Sequence, residues 1–183
     1  MRRVAVVGTT GAGKTTFARA LAALLDVPHI ELDALFHGPN WTSAPIEAFR
    51  ERVRREIDRD GFVVDGNYGA VRDIVWPRVD LVVALHYPFP LIFAQLLRRT
   101  VSRAITREPL WNGNRESLRL SFLSRDSILL WALTSHRRRT RELPGHIARY
   151  GVPLVRLRSR REAARWLRSI AATAQGRRRS AAS

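Results

Sequence analysis

The sequence predicts an α/β protein in which a five-stranded parallel sheet lies between two layers of helices. Five short apolar runs alternate with segments whose apolar residues recur at helical spacing, a pattern typical of βα units with right-handed crossovers. The chain has 183 residues, enough for one well-filled core but too few for two full domains. We therefore expect one domain over residues 1–173 and a basic, disordered tail over 174–183.

The first βα unit carries the most specific motif in the chain. Residues 4–7 read Val-Ala-Val-Val and predict a buried strand, and residues 8–15 then match G-x-x-x-x-G-K-[ST] without a mismatch. Apolar residues at helical spacing over 14–25 predict the helix that follows. This is the strand, loop and helix of a P-loop, so the expected architecture is the three-layer P-loop NTPase fold.

The P-loop assigns ATP and Mg²⁺ as cofactors. Its glycines let backbone N–H groups turn inward on a polyphosphate, Lys14 would reach the β- and γ-phosphates, and Thr15 would hold the metal. The candidate nucleotide ligands are Gly8, Thr9, Thr10, Gly11, Ala12, Gly13, Lys14, Thr15 and Thr16. Lys14 is the only lysine beside 31 arginines, which favours this function over a glycine-rich turn in an arginine-biased chain.

The remaining elements follow from apolar runs and turn residues. We expect further strands at 29–32, 62–64, 80–85 and 152–157, and further helices at 45–59, 70–75, 89–105, 127–150 and 162–170. The run over 80–85 is almost continuously apolar, as in a strand that is covered on both faces. An irregular polar segment separates the helix that starts at residue 89 from the helix that starts at residue 127.

Two aspartates follow predicted strands. Asp33 comes after the second strand and Asp65 after the third, so both should lie at the carboxyl edge of the sheet beside the P-loop. Asp65, with Thr15, is the candidate magnesium ligand, and Asp33 would orient or deprotonate the acceptor of a phosphoryl group. The structural alternative is that each aspartate caps a helix or stabilises a turn.

Arginine dominates the charge of the chain. The net charge of +16 implies acidic partners, which include both phosphorylated small molecules and nucleic acids. Residues 105–126 fit a lid insert whose arginines would close over the transferred phosphoryl group and exclude water. The candidates are Arg99, Arg103, Arg115 and Arg125; the alternative for each is a solvated surface side chain.

The sequence also resembles a known family. Residues 61–66, Gly-Phe-Val-Val-Asp-Gly, resemble the third-strand motif of adenylate kinases, and residues 8–15 are similar to their P-loop. The chain resembles still more closely, at residues 31–33, 65–68 and 110–116, the bacterial adenylate-kinase-like proteins labelled DNA topology modulation proteins. This resemblance implies strand order 2-3-1-4-5, a lid insert, and ATP- and Mg²⁺-dependent phosphoryl transfer to a nucleoside or nucleoside monophosphate.

The acceptor side departs from that resemblance. Asn67, Tyr68 and Gly69 stand where adenylate kinases have the Phe-Pro-Arg that grips the monophosphate, and Arg72 could substitute one helical turn later. Asp33 instead looks like the substrate-side carboxylate of shikimate-kinase-like enzymes. The acceptor therefore stays open as a small acidic or hydroxylated molecule.

Three functions are compatible with these features. The first is a kinase that uses ATP and a small-molecule acceptor. The second is a nucleotide-dependent nucleic-acid-binding protein whose basic surface and tail hold phosphates. The third is a regulatory ATPase, for which no further signature is present. We expect no membrane partner and a cytoplasmic location, because the chain lacks cysteine, a signal peptide and a long apolar run.

Overall fold

A parallel sheet of five strands organises the structure, a computed structural model that describes residues 1–106, 142–143 and 145–181. The strands are β1 (Arg3–Gly8), β2 (His29–Glu31), β3 (Phe62–Asp65), β4 (Leu81–Leu85) and β5 (Leu154–Leu157). Their order is β2-β3-β1-β4-β5, with β1 at the centre. The predicted fold class and strand order are confirmed.

The sheet is apolar on both faces because β-branched and other apolar residues fill its strands. All five residues of β4 and all four of β3 are buried. Side chains alternate between the faces: Val4 and Val6 join one core cluster, and Ala5 and Val7 join the other. Because both faces of the sheet are hydrophobic, helices must cover each of them.

Helices of the described residues cover these layers, and six of them have defined bounds. They are α1 (Lys14–Leu25), α2 (Leu32–Phe36), α3 (Ile46–Ile57), α4 (Arg72–Val75), α5 (Phe89–Thr106) and α6 (Arg160–Ala181). The core around Val4 and Val6 is completed by α1, α5 and α6, with the Phe17 ring stacked 5.8 Å from Trp166. The opposite core contains Phe49 and Val53 of α3 together with Ile147. This is the expected three-layer arrangement.

Two elements differ from the sequence predictions. β2 ends at Glu31, and Asp33 lies on the short helix α2 rather than at the end of a strand. Helix α6 continues to Ala181, where the sequence predicts a disordered tail from residue 174. Its first turns pack against the core. Its last turns are rich in alanine and arginine and lack proline, so their helix propensity continues the helix.

Residues 107–141, which include most of the predicted lid and the first part of the helix predicted at 127–150, lie outside the described residues; in the described end of that predicted helix, residues 142–143 and 145–148 are helical. Among the helices that are described, none combines the length and the apolar character needed to cross a bilayer.

The amino edge of the sheet is fixed by Asp80, which precedes β4. Its Oδ2 accepts hydrogen bonds from the backbone N–H groups of Arg2 at 2.8 Å and Arg3 at 3.1 Å. Its Oδ1 accepts two more from the Arg3 side chain, at 3.1 and 2.9 Å. Asp80 therefore anchors the start of β1 at the end opposite to the P-loop.

Candidate functional site

The loop between β1 and α1 forms a backbone cradle. The Ala12 N–H donates to the Thr9 carbonyl at 3.0 Å, and Lys14 Nζ donates to the same oxygen at 3.3 Å. Gly13 begins α1 in the left-handed region, with φ of 82°, and provides no side chain to cap the helix. No side chain caps the N-terminus of α1, and the positive end of a helix is suited to bind an anion such as phosphate.

Helix α5 supports this loop at Gly11. A Cβ atom at Gly11 would lie 3.0 Å from Leu96 Cβ and 3.1 Å from the Ile92 carbonyl oxygen, and φ is 87°. Only glycine combines that close approach with that backbone conformation. The shape of the phosphate cradle is consequently fixed by packing against α5 as well as by its own turn.

Asp65 is a buried carboxylate beside the P-loop. It ends β3 opposite Val6 of β1 and is only 3% exposed. It faces the α1 side of the sheet, because it lies two residues after Val63, which packs in the core that α1 lines. Its Oδ1 lies 3.7 Å from His29 Nε2, and its Oδ2 has no hydrogen-bond partner.

The environment of Asp65 fits a cation. A buried carboxylate oxygen with no protein donor loses its hydration without compensation, and Mg²⁺ or a water bound to Mg²⁺ would satisfy it. Within the described residues, no group of three or more histidine and acidic side chains could hold a metal by itself. Magnesium in phosphoryl-transfer sites is ordinarily held by one or two carboxylates and the substrate phosphates, so this arrangement suits it.

Asp33, the predicted acceptor-side carboxylate, is hydrogen-bonded to Tyr68. The Tyr68 hydroxyl donates to Asp33 Oδ1 at 2.6 Å, joining α2 to the loop after β3. The Tyr68 ring is held by Phe36 and Phe49, with ring centres 4.9 and 5.2 Å away. The Asp33 carboxylate is therefore fixed by an aromatic side chain that is itself packed against the core.

Arg72, at the start of α4, lines the same depression as Tyr68 and Asn67. Its Nη2 donates to Asn67 Oδ1 at 2.9 Å, and its guanidinium lies over the Trp76 ring. Burial lowers the pKa of Arg72, and its Nε is buried without a hydrogen-bond partner. The nearby charge of Glu142 offsets this effect of burial only in part, so the cation beside Asn67 and Tyr68 is poorly solvated.

A second, basic cavity of about 350 Å³ lies at the carboxyl ends of β4 and β5. It is lined by His86, Tyr87, Pro88, Arg156 and Arg158. Burial lowers the pKa of His86, and the two arginines lower it further. Because Leu85 pairs with Gly8, this cavity opens beside the P-loop on the side away from Asp33.

The structure brings part of the predicted site together. The P-loop, Asp65 and Asp33 follow β1, β3 and β2, which are neighbours in the sheet, so all three lie at its carboxyl edge. Arg99 and Arg103 lie on α5, but their side chains are outside the described set, and Arg115 and Arg125 lie outside the described residues altogether. The lid arginines therefore remain a prediction.

Sequence reasoning missed the hydrogen bond between Tyr68 and Asp33 and the basic cavity. No local pattern signals the bond, because 35 positions separate its two residues. The cavity had one signal, the placement of His86 directly after a buried strand.

Fold and site together define a P-loop small-molecule kinase, an enzyme that transfers a phosphoryl group from ATP. No protein-family model matches the sequence. A shikimate kinase from Halorhodospira halophila is 36% identical over 137 residues, covering 66% of this chain and 73% of that protein. The chain belongs to the shikimate kinase family.

Solved structures show the same fold at low sequence identity. A shikimate kinase from Acinetobacter baumannii in complex with shikimate aligns with a TM-score of 0.54 and 18% identity, covering 93% of this chain and 90% of that one. A gluconokinase from Sinorhizobium meliloti aligns with a TM-score of 0.52 and 18% identity, covering 96% and 97%. These comparisons do not confirm the narrower resemblance to DNA topology modulation proteins.

Proposed function

We propose that this kinase phosphorylates a hydroxyl group of a small organic acid, with Mg²⁺ and ATP as the donor. The observation that carries the proposal is the Asp33 carboxylate, held by Tyr68 at the same sheet edge as the P-loop. A fixed carboxylate next to a phosphate cradle is suited to accept a hydrogen bond from the attacking hydroxyl.

The donor half of the site would be built by the P-loop. The backbone N–H groups of residues 9–15 and the Lys14 ammonium bind the β- and γ-phosphates, with the helix N-terminus of α1 behind them. Thr15 and Asp65 are the residues that would hold Mg²⁺. The metal, when bound, neutralises charge on the phosphates.

The nucleoside would lie away from the acceptor. Asp33 and Tyr68 occupy the β2–β3 side of the P-loop, and the basic cavity at His86 and Arg158 occupies the β4–β5 side. We assign the nucleoside of ATP to that cavity, because the acceptor must approach the γ-phosphate from the other direction for in-line transfer.

The acceptor half would combine a hydroxyl contact with an anion contact. Asp33 orients the hydroxyl, and the desolvated Arg72 pairs with a carboxylate or phosphate of the same molecule. Shikimate and gluconate, named for the relatives above, are both hydroxylated carboxylic acids and are the first acceptors to test.

Phosphoryl transfer then follows from these positions. The acceptor oxygen forms a bond to the γ-phosphorus while the bond from that phosphorus to the β–γ bridging oxygen breaks, and ADP leaves. The hydroxyl proton passes to Asp33. Arg99, Arg103, Arg115 and Arg125 are proposed to stabilise the charge that spreads over the migrating group.

A coupled assay of ADP formation tests this function. Purified protein with Mg²⁺ and ATP is given shikimate, gluconate, neutral polyols, nucleosides and nucleoside monophosphates, each with and without Lys14→Ala. We expect acceptor-dependent ADP formation with an acid, and its loss in the variant. Turnover with nucleoside monophosphates alone would contradict the assignment of the acceptor, and no turnover with any of them would contradict the proposed function.

Nucleic-acid binding is the second candidate function, and an arginine-rich surface favours it. Arg156, Arg158, Arg160, Arg161, Arg165 and Arg168 are all exposed along β5 and α6. If this surface binds duplex DNA, affinity should fall steeply with salt and should survive Lys14→Ala. Binding that is weak at low salt, or that depends on Lys14, would contradict this candidate.

A further inference from the structure

We propose that Tyr68 and His37 are positioning residues that hold Asp33 in the orientation needed for the acceptor hydroxyl. This inference rests on the proposed function, because it assigns a role to side chains behind Asp33. Asp33 lies on α2, a helix of five residues whose backbone hydrogen bonds do not orient its side chains. A second element must therefore hold the carboxylate.

Tyr68 supplies that restraint through its hydroxyl. An ionised carboxylate only accepts hydrogen bonds, so in the 2.6 Å contact the phenol is the donor and Asp33 Oδ1 the acceptor. With Oδ1 engaged by Tyr68, Oδ2 is the oxygen that remains for an acceptor hydroxyl. The hydrogen bond thus selects both the rotamer of Asp33 and the oxygen that meets the substrate.

The Tyr68 ring cannot turn away easily. It packs against Phe49, which is fully buried on α3, and against Phe36 at the end of α2. These contacts join α2, α3 and the loop that follows β3. The position of the phenol oxygen is therefore set by the hydrophobic core.

His37 is the next group along this chain of contacts. Its Nε2 lies 3.4 Å from the Tyr68 oxygen. Because the phenol proton is directed to Asp33, the Tyr68 oxygen can only accept here, which requires the tautomer with the proton on Nε2. A donor behind the phenol orients its lone pairs and so favours the direction of its O–H toward Asp33.

The loop after His37 is built to keep the imidazole in place. Gly38 N–H donates to the Thr42 carbonyl at 2.7 Å, and the Trp41 ring meets His37 edge to face at 5.4 Å. Asn40 and Trp41 have φ values of 55° and 58°, which are unfavourable for residues with a side chain. Such strain persists only where the surroundings determine the conformation.

A double-mutant cycle tests the pairing without any acceptor. Thermal unfolding is measured for the unmodified protein, Tyr68→Phe, Asp33→Ala and the double variant, because an asparagine at position 33 could still accept the hydrogen bond. Tyr68→Phe should lower the Tm by about 3 °C when Asp33 is present, and by less than half of that in the Asp33→Ala protein. Equal shifts in both backgrounds would overturn the inference.

Kinetics with shikimate and gluconate then separate positioning from simple stabilisation. Tyr68→Phe should lower kcat about 10- to 100-fold and leave the KM for ATP within twofold, because a misplaced carboxylate affects transfer and not donor binding. His37→Gln, which keeps a hydrogen-bond donor, should lose less activity than His37→Phe. Tyr150→Phe is the matched control, because it removes an exposed phenol whose ring contacts Trp76.

The two proposals fail in different ways. A lower Tm for Tyr68→Phe with unchanged kcat would overturn the positioning role while the kinase function stands. Absence of transfer by the unmodified protein would contradict the proposed function, and the unfolding cycle would still decide whether Tyr68 acts on Asp33.

Discussion

The guanidinium carbon of Arg72 lies 5.3 Å from the centre of the Trp76 ring, in the wall of the depression that both share with Tyr68. The aromatic face stabilises the cation while burial costs it hydration. A charge held in this way is fixed in position and poorly solvated, so it gains more from an anionic ligand than an exposed arginine would.

Arg72→Gln should therefore raise the KM for an acidic acceptor about 10- to 100-fold, since it removes a charge-assisted hydrogen bond worth about 1.5–3 kcal/mol. The KM for ATP should change little. Arg59→Gln, at an exposed site where the arginine pairs with Glu56, is the matched control. An Arg72→Gln protein with an unaltered acceptor KM would show that the anion binds elsewhere.

Lys14→Arg keeps the charge of the P-loop but changes its shape. The ammonium is compact, whereas a guanidinium is planar and does not fit between two phosphates and a loop carbonyl 3.3 Å away. We expect a loss of about 10²–10³-fold in kcat with the Tm of the ligand-free protein nearly unchanged. If Lys14→Arg retained most of the activity, positive charge at this position would be sufficient for activity, and the compact shape of the ammonium group would not be required.

Asp65→Asn tests the magnesium assignment. The substitution preserves volume and removes a buried charge whose Oδ2 lacks a partner, so the ligand-free Tm should stay the same or rise. The Mg²⁺ concentration that gives half-maximal activity should rise at least about 10-fold. Normal Mg²⁺ dependence in this variant would indicate a purely structural role for Asp65.

Asp80→Asn is a control at the opposite edge of the sheet. We also predict that the effect of this substitution on stability depends on pH. Burial opposes ionisation of Asp80, but hydrogen bonds from the backbone of Arg2 and Arg3 and from the Arg3 side chain outweigh it and lower its pKa. A lowered folded-state pKa stabilises the protein above the unfolded value of about 3.9, and this contribution is lost as the pH falls through the folded-state value.

Asp80→Asn should thus cost about 1–2 kcal/mol at neutral pH and progressively less in acid, with normal Mg²⁺ dependence of activity. Denaturant unfolding between pH 7 and pH 2 measures the first effect. A constant difference between the two proteins across this range would show that ionisation of Asp80 does not stabilise the start of β1.

Sequence reasoning predicted the elements whose causes are local. The P-loop and the buried run of β4 each follow from consecutive residues, and parallel βα units then place Asp65 beside the loop. It placed Asp33 at the carboxyl edge but did not predict the helix that carries it, because residues 29–36 can continue a strand or turn into a helix with the same apolar residues. Only the packing of Leu32 and Phe36 against the core favours the helix α2 over a longer strand.

For the acceptor half, the sequence pointed to Asp33 and Arg72 but not to the side chains that hold them, since those contacts join distant residues. Tyr68 meets Asp33 only because β2 and β3 are neighbours and Phe49 supports the ring between them. The importance of Arg72 is likewise a matter of burial and of the side chains that surround it. Such properties belong to the packed structure and have no signature in residue spacing.

The single lysine has a practical consequence for chemistry on this protein. Since the only side-chain amine lies in the phosphate cradle, an amine-reactive reagent has one side-chain target, and protection by ATP would report occupancy of the donor site directly. A lysine-specific protease has one possible cleavage point, after the residue proposed to bind the phosphates. Any acylation of a lysine side chain in this protein would fall on that same residue and neutralise it.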